Sequence, residues 1–95
     1  MPDLELAFDN EALPWHTAVI VTGPDRPGAL SAVSSAFAAA KIVVHTARLA
    51  TDADAVNDRF AVSARVGRKL DTKAMELVRR ALAGERIRRR PFSGR

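Results

Sequence analysis

Val19-Ile20-Val21-Thr22-Gly23-Pro24-Asp25-Arg26-Pro27-Gly28-Ala29-Leu30 decides the fold. An apolar, β-branched run ends in a rigid turn, after which large apolar residues recur at helical spacing. Pro24 and Pro27 each fix φ and remove an amide donor, so the turn is stiff and a helix is predicted to begin at or just after Pro27. Gly28 lets another group approach the backbone closely. The first turn of a helix leaves amide N–H groups without partners at its electropositive end, so the amides near Gly28, Ala29 and Leu30 suit a small carboxylate. The plainer reading of the same residues makes Asp25 the N-cap, leaves Arg26 in solvent and uses Gly28 to pack the helix on its strand.

Upstream of the turn, residues 17–22 (Thr-Ala-Val-Ile-Val-Thr) are apolar on both faces, the mark of a central strand covered on two sides. Helices are expected on one side, and a second copy of the domain or a neighbouring domain on the other. Leu4-Glu5-Leu6-Ala7-Phe8 alternates and runs into Asp9-Asn10, which reads as a short strand and a turn. Asn10 to Trp15, with Pro14 inside it, connects the two strands, and Trp15 is expected to close the edge of the core.

Downstream, Leu30, Val33, Phe37 and Ala40 form one stripe of a helix rich in small residues, which lets it lie close to its sheet. Ile42 to Thr51 is a long β-rich run, residues 51–55 a polar turn, and Val56 to Val66 a second run in which Phe60, Val62, Ala64 and Val66 share a face. These runs form a hairpin. After the Gly67-Arg68-Lys69 turn, Asp71 caps a last helix whose stripe is Ala74, Leu77, Val78, Ala81 and Leu82. Leu70 and Met75 have the spacing of a hydrophobic staple, and Gly84 ends the helix. The order is ββαββα. It predicts an α+β, ferredoxin-like domain with a four-stranded antiparallel sheet, two helices on one face, and the N-terminal strand in the place of the usual last one.

The chain has 95 residues, enough for a single core, and no cysteine, which excludes disulfides, thiolate metal clusters and cysteine nucleophiles. No apolar run approaches membrane-spanning length, no signal peptide is recognised, and a cytoplasmic location is expected. The net charge of +4 arises at one end. Arg86, Arg88, Arg89, Arg90 and Arg95 face a single acid, Glu85, in the last twelve positions, while the rest balances ten basic against ten acidic side chains. Residues 4–84 are therefore expected to form the domain, and residues 85–95 a disordered basic tail.

Asp25-Arg26-Pro27-Gly28-Ala29-Leu30, then a small-residue helix, then His45-Thr46-Ala47-Arg48-Leu49-Ala50-Thr51 together resemble an ACT domain, the small-molecule-sensing module of amino-acid metabolism. Leu6-Ala7-Phe8-Asp9-Asn10-Glu11-Ala12, Asp58-Arg59-Phe60-Ala61-Val62 and Gly67-Arg68-Lys69-Leu70 make the chain similar to the C-terminal ACT domains of nucleotidyltransferases that modify PII nitrogen-signal proteins. The resemblance covers about residues 4–83. It implies a non-catalytic regulatory fragment of a PII uridylyltransferase and uridylyl-removing enzyme, with glutamine as the signal, no cofactor, and a homodimer or sister ACT domain as partner. It places the ligand where the loop of one copy meets the second strand of another, on Asp25, Arg26, Gly28, Ala29 and Leu30 of the loop and Val44, His45, Thr46 and Ala47 of the strand. The implied roles are backbone amides after Gly28 for the carboxylate, Asp25 for the ammonium group, and Thr46 or His45 for a side-chain amide. Lys41 stands where the family usually has a small residue.

Three other readings compete. The domain binds no ligand and only packs on a sister copy. It binds RNA, which needs aromatic side chains on the open faces of the central strands, whereas Phe60 falls on the core alternation. It is a small enzyme, for which no nucleophile-base pair, metal cluster or phosphate loop is found. A lone histidine on a strand, such as His45, is more often a packing residue than a ligand, and His16 adds no metal site. Arg48 and Arg59 are expected to pair with Asp58 or with a partner chain.

Overall fold

The computed structural model describes residues 3–84, and the expected basic tail lies outside them. Strands β1 (Glu5–Asp9) and β2 (Thr17–Pro24) lead to helix α1 (Ala29–Ala39), strands β3 (Ile42–Arg48), β4 (Thr51–Asp52) and β5 (Ala55–Ala64), and helix α2 (Thr72–Leu82). The sheet order is β1-β2-β5-β3, all antiparallel, with β4 also on β5. This is the expected ferredoxin-like arrangement, and β1 fills the place of the usual last strand. The short β4 is the continuation of β3 after a break at Leu49-Ala50, so the long β-rich run pairs with one partner in two pieces. The turn between β4 and β5 is only Ala53-Asp54, with Ala53 at φ 54°.

One face of the sheet carries the core. Val19 and Val21 of β2, together with Phe60 and Val62 of β5, pack under Val33, Ala36 and Phe37 of α1 and Val78 and Leu82 of α2. Phe37 meets Phe60 edge-on, with centroids 5.2 Å apart, which ties α1 to the sheet centre. Phe60, 5% exposed, is thus not available for stacking a base. The opposite face of β2, with Ala18, Ile20 and Thr22, is only half-buried.

Asp71 caps α2, its carboxylate accepting from the Ala74 N–H at 2.8 Å, and Leu70 and Met75 both pack on the core. Gly84 closes that helix at φ 95°.

Several expectations are corrected. Asp25 is not the N-cap of α1: Gly28 holds that position at φ 83° and no side chain caps the helix. The Asp25 amide instead donates to Asp54 O at 2.7 Å, which ties the loop to the β4–β5 turn. Starting at Ala29 turns the buried stripe to Ala29, Val33, Ala36 and Phe37, and leaves Leu30 44% exposed. Trp15 is 76% exposed on the β1–β2 connection rather than at the core edge. Val66 is 79% exposed, because β5 ends at Ala64 where the Gly67 amide turns back to the Ala64 carbonyl at 2.9 Å. Lys41 follows α1 at φ 59°, the left-handed region, where a side chain is strained.

The core face also holds a polar lock. The buried Thr17 hydroxyl donates to Asn10 Oδ1 and accepts from the Leu70 amide at 2.9 Å, and Asn10 Nδ2 donates to the Leu70 carbonyl, also at 2.9 Å. The Lys69 ammonium donates to the Asn10 and Leu13 carbonyls. The long β1–β2 connection is thereby fastened to the entry of α2.

Candidate functional site

The β2–α1 loop is held at three points. Gly23 lies against the incoming N-terminal segment, where an added Cβ would fall 2.8 Å from Asp3 O and from Leu4 Cδ2. The Arg26 guanidinium pairs with the Asp3 carboxylate at 2.6 Å. The Asp25 amide is tied to Asp54, while its side chain lies exposed. At the loop's end, the uncapped α1 N-terminus exposes Gly28 and Leu30 and buries Ala29. The Ala29 amide already donates to the Arg26 carbonyl at 3.1 Å, so the donors that the missing side-chain cap leaves for an external carboxylate are the next amides of the first turn, Leu30 and Ser31.

The strand half of the expected site is Val44 to Ala47, all exposed on the edge strand β3. A bulge between Val44 and Thr46 leaves His45 without a pairing partner and brings it onto the face away from the helices. There its ring lies 4.2 Å from that of His16, centroid to centroid, and its Nε2 is 2.7 Å from Ser63 Oγ. Ser63 Oγ is placed to donate its one proton to the Ala64 carbonyl at 2.9 Å, and with that bond made His45 Nε2 is the donor to Ser63. A histidine in that tautomer does not take a proton from the serine. The pair is therefore a packing arrangement, not a nucleophile and its base, and Ser63 is 1% exposed. Among the described residues no three His, Cys, Asp or Glu side chains converge as metal ligands.

Within one copy the two halves stand apart. Gly23 is opposite Val56 and Val44 is opposite Val62, so they are separated by roughly 20 Å along β5 and by the width of that strand. A ligand that touched both halves would have to bridge two copies.

Sequence reasoning missed three features here. Asp3 is the acid that takes Arg26, Asp54 is the anchor of the loop, and Arg48 and Arg59 share one face with Thr46 around an open cavity. The Arg48 and Arg59 pairing with Asp58 is corrected, since Asp58 lies on the core face, 6% exposed, accepting from the Ala50 amide at 3.0 Å. Only strand register, which a local pattern does not carry, reveals these juxtapositions.

The ACT domain family model matches residues 17–83. The chain is an ACT domain. Its curated relatives are bifunctional uridylyltransferase/uridylyl-removing enzymes. The protein of that name from Novosphingobium aromaticivorans is 36% identical over 67 residues, 70% of this chain and 7% of the relative. That from Rhodospirillum rubrum is 36% identical over 75 residues, 78% of this chain and 8% of the relative. That from Ruegeria pomeroyi is 35% identical over 71 residues, 75% of this chain and 8% of the relative. The ACT domain thus spans under a tenth of the length of the relatives it matches. No solved structure matches it. No helix among the described residues is long and apolar enough to cross a membrane.

Proposed function

We propose that this ACT domain is the regulatory, amino-acid-sensing part of a PII uridylyltransferase and uridylyl-removing enzyme, with glutamine as its ligand. The observation that carries the reading is the uncapped α1 N-terminus beside the exposed Asp25 carboxylate, on a loop tied at both flanks. In this reading the first-turn amides take the ligand carboxylate and Asp25 its ammonium group. Thr46 and the neighbouring backbone of a second copy take the side-chain amide. Because Val44 to Ala47 lie far from the loop within one copy, the site is completed by a homodimer or a sister ACT domain.

A second reading, a domain that packs on its sister without a ligand, is favoured by one specific observation. Arg26 and His45, two of the proposed contacts, already have partners in Asp3 and Ser63. The deciding experiment is a thermal-unfolding titration with glutamine, using glutamate and serine as controls, since a ligand that binds only the folded state must raise its stability. A glutamine-specific rise in Tm that Asp25→Ala abolishes supports the sensor. No rise, in a sample shown to be dimeric, leaves the packing domain. Asp25→Ala is a cleaner probe than a Gly28 variant, since Gly28 holds φ 83° and any side chain there strains the backbone without reference to a ligand.

A further inference from the structure

Arg48 of β3 and Arg59 of β5 are directly opposed in the antiparallel register, on the face of the sheet that the helices leave open. Like charges in that position repel, and sheets ordinarily avoid the pairing. Among the described residues no ordinary neutralising group is present. Asp58, next in sequence, turns to the core face and accepts from the Ala50 amide. Across β2, the residue opposite Arg59 is Ile20, and among the described residues no carboxylate forms an ion pair with either arginine. Beyond Gly84 the sequence offers Glu85 against five arginines, so it supplies no net negative charge. The rest of the chain is charge-balanced, which makes this pair a local concentration of positive charge rather than a sample of a basic surface.

The two guanidinium groups line an open cavity of about 340 Å³ together with Thr46 and Ala47. That volume falls at the lower end of small-molecule sites, which run from about 300 Å³ upward. A guanidinium presents a planar fork of donors matched to carboxylate and phosphate oxygens, and two of them side by side match a group bearing two negative charges.

We propose that the open face of the sheet is an oxyanion site, in which Arg48 and Arg59 hold the phosphate group or paired carboxylates of a small molecule and the Thr46 hydroxyl adds a further donor. Binding relieves the repulsion that the register imposes. The site shares Thr46 and Ala47 with the strand half of the proposed amino-acid site and differs from it in its two arginines, which that site does not include. Arg48 and Arg59 each contribute a charged fork, so both are needed for full affinity.

The test titrates the 95-residue chain, without glutamine, with inorganic phosphate and in parallel with malonate, sodium chloride holding ionic strength constant. The readouts are arginine Nε NMR shifts and Tm. The expected result is a saturable shift of the Arg48 and Arg59 resonances with a rise in Tm. Arg48→Gln and Arg59→Gln each weaken the midpoint about tenfold, the loss of one charge-assisted contact, while Arg65→Gln, beyond the end of β5, leaves it unchanged. The tighter of the two anions assigns the source as phosphate or dicarboxylate. A response to both anions that only tracks chloride overturns the proposal, as does a midpoint that both arginine variants retain. Saturation by an acidic peptide where both small anions fail also overturns it, making the pair a protein-docking contact. Glutamine titration of Arg59→Gln separates this proposal from the sensor reading: the glutamine response is expected to survive in that variant and to be lost in Asp25→Ala.

Discussion

Thr17→Val tests the polar lock that joins the β1–β2 connection to α2. Thr17 is fully buried and its hydroxyl serves two partners, accepting from the Leu70 amide at 2.9 Å and donating to Asn10 Oδ1. Valine matches the shape and removes both bonds. Leu70 is 1% exposed, so its N–H is left without water or acceptor, a penalty of about 1–3 kcal/mol. Asn10 is half-buried and recovers part of its loss by hydration. The added methyl returns at most about 0.8 kcal/mol. The net expectation is a loss of about 2 kcal/mol, which for a domain of this size lowers Tm by roughly 8–16 °C. Urea unfolding with linear extrapolation measures it, and the m value should not change, because the folded surface is the same. Thr17→Ser is the control: it keeps the hydroxyl and loses one buried methyl, so it should cost about 1 kcal/mol or less. The expected order of stability is wild type, serine, valine, whereas hydrophobicity alone predicts valine, wild type, serine. A valine variant as stable as the serine variant, or within about 0.5 kcal/mol of wild type, would refute the reasoning, because the Leu70 amide would then have another acceptor.

Further outcomes follow from the backbone. Gly23→Ala should destabilise by about 2 kcal/mol, since φ 153° disfavours a side chain and the new Cβ would fall 2.8 Å from Asp3 O; unchanged denaturant midpoints would show that the N-terminal segment moves aside freely. Lys41→Gly should stabilise by up to about 1 kcal/mol, because φ 59° strains lysine and not glycine, with chain entropy offsetting part of the gain; a lower Tm would count against it.

The turn fixed by two prolines, the alternating strands and the capped last helix are local patterns, and local sterics sufficed to read them. Pro24 and Pro27 end a strand and open a helix whatever surrounds them, and Asp71 caps α2 as its position implied. Harder to read was which side of an element faces inward. Leu30 is on an apolar stripe and yet lies exposed, because the left-handed Gly28 sets the helix start and with it the rotation of α1. Trp15 is the largest side chain in the chain and yet stays outside, because Asn10, Thr17 and Lys69 hold its connection in place by polar bonds rather than by burial.

The candidate site divides the same way. In the β2–α1 loop the strand end and the helix start were legible in the order of its prolines and glycines, since that geometry is set within a few residues, whereas the cap was not: Gly28, not Asp25, holds that position. The ion pair of Arg26 with Asp3, the turn of Asp58 toward the core and the facing of Arg48 and Arg59 were not legible either. Each depends on register between segments far apart in the chain, and a one-residue slip of that register would move every side chain to the other face. Sequence alone determined the kinds and order of the elements, because those follow from short-range sterics and hydrophobic period. Tertiary structure alone decided which charges meet, because pairing across a sheet is a property of two strands and not of either one.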